Sequence, residues 1–330
     1  MATADQLKAL VDSHSQRDEA RFRAVAMQIA AHAAKQGKGK LAEELRAILD
    51  RASAQRELHV GPVSAVAIAR PPRDLEGLLF ASYPDTRLSE MVLEKDLEAD
   101  LRAVVTEYRS RDKLRARDLA PRLRLLLVGP PGCGKTMTAA ALAGECRLPL
   151  MVVQLHALMT KFMGETAAKL HAVFDAMAKT KGVYLFDEFD AIGSVRMAHN
   201  DVGEIRRVLN SFLQLIEVHH SDSIIVAASN LMPILDQALF RRFDAILEYH
   251  LPKPGMVRPL IENRLSTFDT TRLAWPKITP AAKGLSHADV VRAAEESAKE
   301  MVLKDQPSIR SEDLVRALEQ RRRRPPPLRH

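Results

Sequence analysis

The sequence predicts an α/β fold: a parallel sheet with helices on both faces, a small all-helical lid after it and a small helical domain before it. Three observations carry this. Between residues 121 and 250, apolar strand-like runs alternate with helical stretches, the pattern of a parallel sheet covered on both faces. At the first strand-to-helix junction stands Gly129-Pro130-Pro131-Gly132-Cys133-Gly134-Lys135-Thr136, which fits G-x-x-x-x-G-K-[ST] at every position. Residues 1–55 and 251–320 carry helical spacing and no strand signal.

Residues 1–55 show that spacing in Phe22, Val25, Ala26, Ile29 and Ala30, then in Leu41, Leu45 and Ile48. Gly37-Lys38-Gly39 breaks the two helices, and a shorter one, Gln6 to Val11, precedes them. Such a bundle is expected either to hold a partner or another subunit, or to pack as an appendage. Residues 56–84, with Gly61-Pro62, Pro71-Pro72 and Pro84, read as a linker.

Residues 85–250 form the α/β unit. A charged helical stretch, Leu93 to Arg115, leads into it. Strands are expected at Leu123–Val128, Leu150–Leu155, Val183–Phe186, Ile224–Ala228 and Ala245–His250. Helices are expected near 135–146, 165–180, 201–218 and 233–240. Leu170, Val173, Phe174 and Met177 make one apolar stripe; Ile205, Leu209, Phe212 and Ile216 make another. Pro252 and Pro254 mark the join to the helical residues 251–320. There Ser286 with Asp289 resembles a capping box, and Ser311 with Glu312 and Asp313 starts a last helix.

Composition excludes several classes. No segment approaches the roughly 18 apolar residues of a membrane span, and Met1 to Gln6 lacks a secretory start. The two cysteines, Cys133 and Cys146, have no CxxC spacing and fit a reducing cytoplasm. The net charge is +7, but five arginines and no acid fall in the last ten residues, leaving about +2 for the rest. Residues 321–330 therefore read as a disordered, basic, Pro-rich tail, either solubilising or touching an acidic surface.

The glycines of the loop let backbone N–H groups surround a phosphate, and the following helix, opened by Met137, adds its dipole. Lys135 can reach β- and γ-phosphates, and the Thr136 hydroxyl can ligate Mg²⁺. A metal-holding acid is then needed at a strand end. Val183-Tyr184-Leu185-Phe186-Asp187-Glu188 supplies one in Asp187, and Glu188 can accept a proton from an attacking water. Asn230 ends another buried strand; it would lie beside the loop if that strand sits between the other two. An Asn after a strand is also an ordinary turn former.

These motifs, with Asp236-Gln237-Ala238-Leu239-Phe240-Arg241-Arg242-Phe243-Asp244, occur in an order and spacing that resemble the AAA+ ATPases, in particular their AAA clade. The resemblance covers roughly residues 85–320. It implies a P-loop NTPase sheet, a helical lid and a ring, usually a hexamer, with ATP and Mg²⁺ at subunit interfaces. It implies that Arg241 and Arg242 are fingers on the neighbour's γ-phosphate. Gly284-Leu285-Ser286-His287-Ala288-Asp289 resembles the lid segment of that clade, with small Ala288 where other groups place an arginine, so Gly284 and Ala288 join the nucleotide contacts. Phe162-Met163-Gly164 resembles the aromatic pore loop of protein-threading rings, where an aromatic grips an extended peptide; packing of Phe162 into the core is the other reading. Arg196 to Asn200 stands where a second pore loop would lie.

The N-terminal helical block, Tyr83-Pro84 and the short Ala238-to-Arg242 form also resemble small bacterial AAA ATPases encoded beside subtilisin-like serine proteases in plasmid-maintenance and phage-defence modules. That resemblance implies a protease partner; the chain holds no Ser/His/Asp set in motif context and no HExxH. The expected function is a cytoplasmic ring ATPase that remodels or threads a protein substrate. Alternatives are an ATP-dependent assembly switch acting through residues 1–55, and a DNA-acting loader resting on the arginine tail.

Overall fold

The computed structural model describes residues 75, 77–158, 163–190, 202–230, 240–306 and 308–323. The chain divides into two units, Met1–Ile68 and Ala69–His330, and every described residue belongs to the second. The N-terminal helical block, residues 196–200, most of the expected helix at 233–240 and residues 324–330 lie outside the described set.

Strands β1 (Leu79–Ser82), β2 (Arg124–Val128), β3 (Leu150–Val153), β4 (Val183–Phe186), β5 (Ile224–Ser229) and β6 (Ala245–Glu248) form one sheet in the order β1-β3-β4-β5-β2-β6. All pairings are parallel except β1 with β3. Helices α1 (Lys95–Arg109), α2 (Arg111–Arg115), α3 (Lys135–Cys146), α4 (Leu155–Leu158), α5 (Met163–Lys179) and α6 (Val202–Val218) accompany it. Helices α7 (Pro254–Arg264), α8 (Trp275–Ala281), α9 (His287–Leu303) and α10 (Ser311–Arg323) form the C-terminal bundle.

The strands read as continuous apolar runs because both faces are covered, yet period two still sorts their side chains. Leu126, Val128, Tyr184, Phe186, Ile225 and Ala227 pack with α5 and α6. Leu125, Leu127, Val183, Leu185, Ile224, Val226 and Ala228 pack with α1 and α3. The C-terminal helices bury a separate core that includes Ile261, Ile278, Val290, Leu314 and Leu318.

The structure corrects four expectations. Residues 56–84 are not all linker, because β1 lies within them as an antiparallel edge strand. Only Leu79 of its four residues is buried and Phe80 is 54 % exposed, so the segment has little apolar pattern of its own. The charged stretch before β2 is two helices, broken at Ser110 (φ −104°, ψ 13°). The expected strand to Leu155 stops at Val153, and Leu155 begins α4. The basic tail starts late: Arg321–Arg323 finish α10, and Arg321 pairs with Glu296 of α9.

At the end of the sheet opposite the Gly-rich loop, Asp222 is held by Arg115 (2.5 Å), Lys181 (2.5 Å) and Arg111 (3.7 Å), its side chain only 14 % exposed. Exposed i,i+4 pairs such as Arg102–Glu98 and Arg258–Glu262 contribute about 0.3–0.5 kcal/mol each. Asp222 does more, because three cations, Arg111 and Arg115 of α2 and Lys181 of the α5–β4 turn, converge on it. Hydrogen bonds from Lys181 and Arg115 hold its carboxyl below the usual range against the cost of burial. A depressed folded pKa means this stabilisation is complete above the ordinary carboxylate pKa and is lost as pH falls through the folded value. Asp222→Asn is therefore expected to cost about 1–2 kcal/mol at pH 7. The gap to wild type should close as the pH is taken below about 4; guanidinium unfolding at several pH values measures it.

Candidate nucleotide site

The site grows from the end of β2. Gly129, Gly132 and Gly134 have φ values of 143°, 74° and 100°, which glycine adopts without strain. Space is as decisive. A Cβ on Gly129 would overlap the Tyr249 carbonyl oxygen, and one on Gly132 would lie 2.6 Å from Ser286 Oγ. Such a turn, with the α3 N-terminus behind it, presents N–H groups and positive dipole to an anion.

Lys135 is 7 % exposed, and its ammonium donates to the carbonyls of Gly129 (2.7 Å) and Pro130 (2.9 Å). Burial lowers its pKa, opposed by Cys133, Asp187 and Asp190. The Thr136 hydroxyl donates to Asp187 Oδ2 at 2.7 Å, while Asp187 Oδ1 accepts the Glu188 N–H at 2.8 Å. A hydroxyl and a carboxylate this close, on different elements, suit a small hard cation that keeps several waters.

Glu188 is exposed with φ 52°, a value uncommon for a residue with a side chain. Its neighbours fix it there. Phe189 is fully buried, with its ring 4.9 Å from that of Phe212 and its N–H bonded to the Ala228 carbonyl (2.8 Å). Asp190, also buried, accepts the Asn230 N–H at 3.1 Å. The sequence condition for Asn230 is met, since β5 lies between β4 and β2. Gly129 N–H donates to the Ser229 carbonyl (3.2 Å), so Asn230 stands beside the first glycine of the loop.

From the C-terminal bundle, the Ala288 N–H donates to the Gly132 carbonyl at 2.9 Å. Ser286 caps α9 with Asp289 in the expected capping box. Gly284 has φ 83°, which suits the turn before α9, and a Cβ built on it would meet nothing within 4 Å. Cys133 is buried and Cys146 half-buried, the latter's thiol pushed up to about 12 by burial. Met137 is 41 % exposed in the first turn of α3.

Arg241 and Arg242 are not gathered here. Two residues on, Asp244 accepts the N–H groups of Leu123 and Arg124 at 2.9 Å, at the opposite end of β2. Arg242 pairs with Glu217 near the end of α6, whereas Arg241 is exposed with no acidic partner among the described residues. Phe162 lies outside the described residues, and Met163 and Gly164 open α5.

Sequence reasoning missed Tyr249 and Met91. Met91 Cε lies 3.3 Å from a Cβ built on Gly134, and Tyr249 meets the loop at Gly129. Neither stands in a motif; both act through packing that only the fold creates.

The profile of the ATPase family associated with various cellular activities (AAA) matches residues 125–251. An uncharacterized AAA family ATPase, y4kL of Sinorhizobium fredii, is 33 % identical over 328 residues, spanning 98 % of this chain and 97 % of that one. The chain belongs to the AAA ATPase family. It hydrolyses ATP, and its fold agrees with the FIGL-1 AAA domain, at TM-score 0.61 and 21 % identity over 76 % of this chain and 89 % of that one. A proteasome-activating nucleotidase of Methanoregula boonei is 34 % identical, over 61 % of this AAA ATPase and 48 % of the relative. The ATP-dependent zinc metalloprotease FtsH 4 of Sphaerobacter thermophilus is 30 % identical over 72 % and 38 %. The chain thus spans about half or less of the length of those two relatives. Among the described residues no helix is long and apolar enough to cross a membrane.

In this AAA ATPase, Gly132→Ala would bring a Cβ against Ser286 and strain a positive φ. ATP affinity is expected to fall more than about tenfold, since relief requires the loop to part from α9. Titration with a fluorescent ATP analogue reads the loss.

Proposed function

We propose that this AAA ATPase forms a ring, a hexamer by resemblance, whose subunits share their sites and convert ATP hydrolysis into remodelling or threading of a protein substrate. The observation that carries the shared site is the distance between the arginine pair and its own loop. Asp244 ties that segment to the start of β2. The loop begins after Val128, five strand residues later, which is about 16 Å at a strand's rise. Arg242 is further anchored at that end by Glu217. Neither arginine serves its own γ-phosphate; a neighbour's is the alternative. The Arg242–Glu217 pair, with both side chains 41 % exposed, is worth at most about 1 kcal/mol and does not compete with a phosphate.

In this reading the loop N–H groups and Lys135 hold the β- and γ-phosphates, Lys135 exchanging its two carbonyl partners for phosphate oxygens. Thr136 and Asp187 hold Mg²⁺, which supplies charge neutralisation on the phosphates. Glu188 takes the proton of the attacking water, and Asn230 orients it. Arg241 and Arg242 of one subunit complete the next, a contribution of about 10³–10⁵ in rate. Ala288, donating to Gly132, lets the lid report the state of the loop.

The protein-remodelling output is supported by the aromatic Phe162 before Met163-Gly164 and by relatives named for proteasome activation and proteolysis. The sequence resemblance to ATPases encoded beside subtilisin-like proteases supports a serine protease partner, a role in phage defence or plasmid maintenance, and a cytoplasmic setting. Residues 1–55 are the proposed partner or substrate domain, 85–250 the ATPase subdomain and 251–320 the lid. The loader reading loses footing, because Arg321 of α10 is committed to Glu296 of α9.

Glu188→Gln is expected to bind ATP normally while turnover falls by about 10²–10⁴. Phosphate release together with retained nucleotide measures this, and normal turnover sinks the base assignment. Phe162→Ala is expected to abolish unfolding of a model protein substrate while leaving ATP turnover within about twofold, as a grip lost without chemistry requires. Intact biological activity in that variant, with loss on deleting residues 1–55, would favour the assembly switch.

A further inference from the structure

Tyr249 is the last residue tied to the sheet before the chain crosses to the lid. Its N–H donates to the Val128 carbonyl at 2.7 Å. Its own carbonyl oxygen fills the space where a Cβ on Gly129 would stand, so its backbone presses on the first residue of the phosphate loop. Its hydroxyl lies 2.6 Å from Thr138 Oγ1, a buried contact between side chains 111 residues apart. The Thr138 hydroxyl in turn donates to the carbonyl of Gly134, the last glycine of the loop, at 3.1 Å. A hydroxyl has one hydrogen to give. Either hydroxyl of the Tyr249–Thr138 pair can donate; when that of Thr138 goes to Gly134, the Tyr249 O–H donates to Thr138 and the chain runs Tyr249 to Thr138 to Gly134.

We propose that Tyr249 is a positioning residue for ATP hydrolysis, clamping both ends of the phosphate loop at once, by its backbone at Gly129 and through Thr138 at Gly134. It touches no reacting atom. Thr136, two residues before Thr138 on the same first turn of α3, bonds Asp187, so the clamp sets where that pair stands relative to the sheet. On the other side, Pro252, Lys253 and Pro254 lead from Tyr249 into α7, and Lys253 is fastened to Glu94 at 2.6 Å. The clamp therefore stands where the loop and the lid connection meet, and a shift of either strains the other.

A positioning role and a merely structural one separate in a double-variant cycle on the full chain. Tyr249→Phe keeps the ring and removes the hydroxyl; kcat is expected to fall about tenfold with the KM for ATP within twofold, because misplaced groups cost the transition state more than binding. Thr138→Val leaves the buried Tyr249 hydroxyl without its acceptor and is expected to lower both Tm and kcat. Thr138→Ser restores the hydroxyl and is expected to return kcat to near the wild-type value. The combined Thr138→Val, Tyr249→Phe protein has no stranded polar group, so Tm recovers towards wild type while kcat stays low. Recovery of kcat together with Tm in the combined variant overturns the proposal, as does an unchanged kcat in Tyr249→Phe. The proposal rests on the ATPase reading; absence of turnover by the wild-type chain would strike that reading instead.

Discussion

The nucleotide site depends on a loop squeezed from two sides at positions where no side chain fits. Tyr249, at the end of β6, presses on Gly129; Ser286 and Ala288, at the start of α9, press on Gly132. Between these contacts the backbone must turn with positive φ three times in six residues. Gly129 and Gly132 are each required twice, once for the dihedral angle and once for the missing Cβ, and Gly134 for its dihedral angle. The result is a loop held in shape by the fold before any phosphate arrives, and preorganisation of this kind spares reorganisation at the moment of reaction. The same squeeze makes the loop sensitive to movement, because the two walls belong to different layers of the protein, the sheet and the C-terminal bundle.

Strand order does the rest of the assembly. Only with β5 between β4 and β2 do the ends carrying Asp187, Asn230 and Gly129 fall side by side. The hydrogen bonds from Gly129 to Ser229, Phe189 to Ala228 and Asn230 to Asp190 then stitch three strand ends into one surface. Beneath it the rings of Phe174, Phe186, Phe189 and Phe212 pack at centroid distances of 4.9–6.2 Å. Aromatic pairs at these distances are worth about 0.5–1.5 kcal/mol each beyond burial. That is comparable to the roughly 1–3 kcal/mol of strain a residue with positive φ can store, so the cluster is strong enough to hold Glu188 in its exposed, left-handed turn.

Much of this was legible in the sequence because it is local. The loop, the strand running into Asp187-Glu188 and the capping box at Ser286 are contiguous segments whose chemistry is written in adjacent residues. What was not legible is nonlocal or weakly patterned. Strand β1 has four residues and one buried side chain, and it is a strand only because Val153 to Leu150 offers a free edge to it. The arginines at the chain end looked like a solvated tail, but Arg321 finds Glu296 twenty-five residues back. Gly284 stands in the lid motif with φ 83°, at the turn before α9, so a motif position there serves the turn as well. Tyr249 carries no motif; its part follows from a pairing with Thr138 that no spacing rule anticipates.

The placement of the arginine pair bears on the proposal that the site is shared with a neighbour. A finger that sat beside its own phosphate would make each subunit complete and leave hydrolysis independent of assembly. Here the segment is fixed at the entry to β2 by Asp244, so the strand itself holds the arginine pair and the loop apart by its full length. Lengthening a loop could not close that gap, because Phe243 is buried in the core between the two anchors. Separation is therefore a property of the sheet and not of a flexible segment. On the shared-site proposal, a subunit that does not finish its own chemistry couples turnover to the geometry of contact between subunits. On that proposal, hydrolysis in one position would be felt as motion in the next.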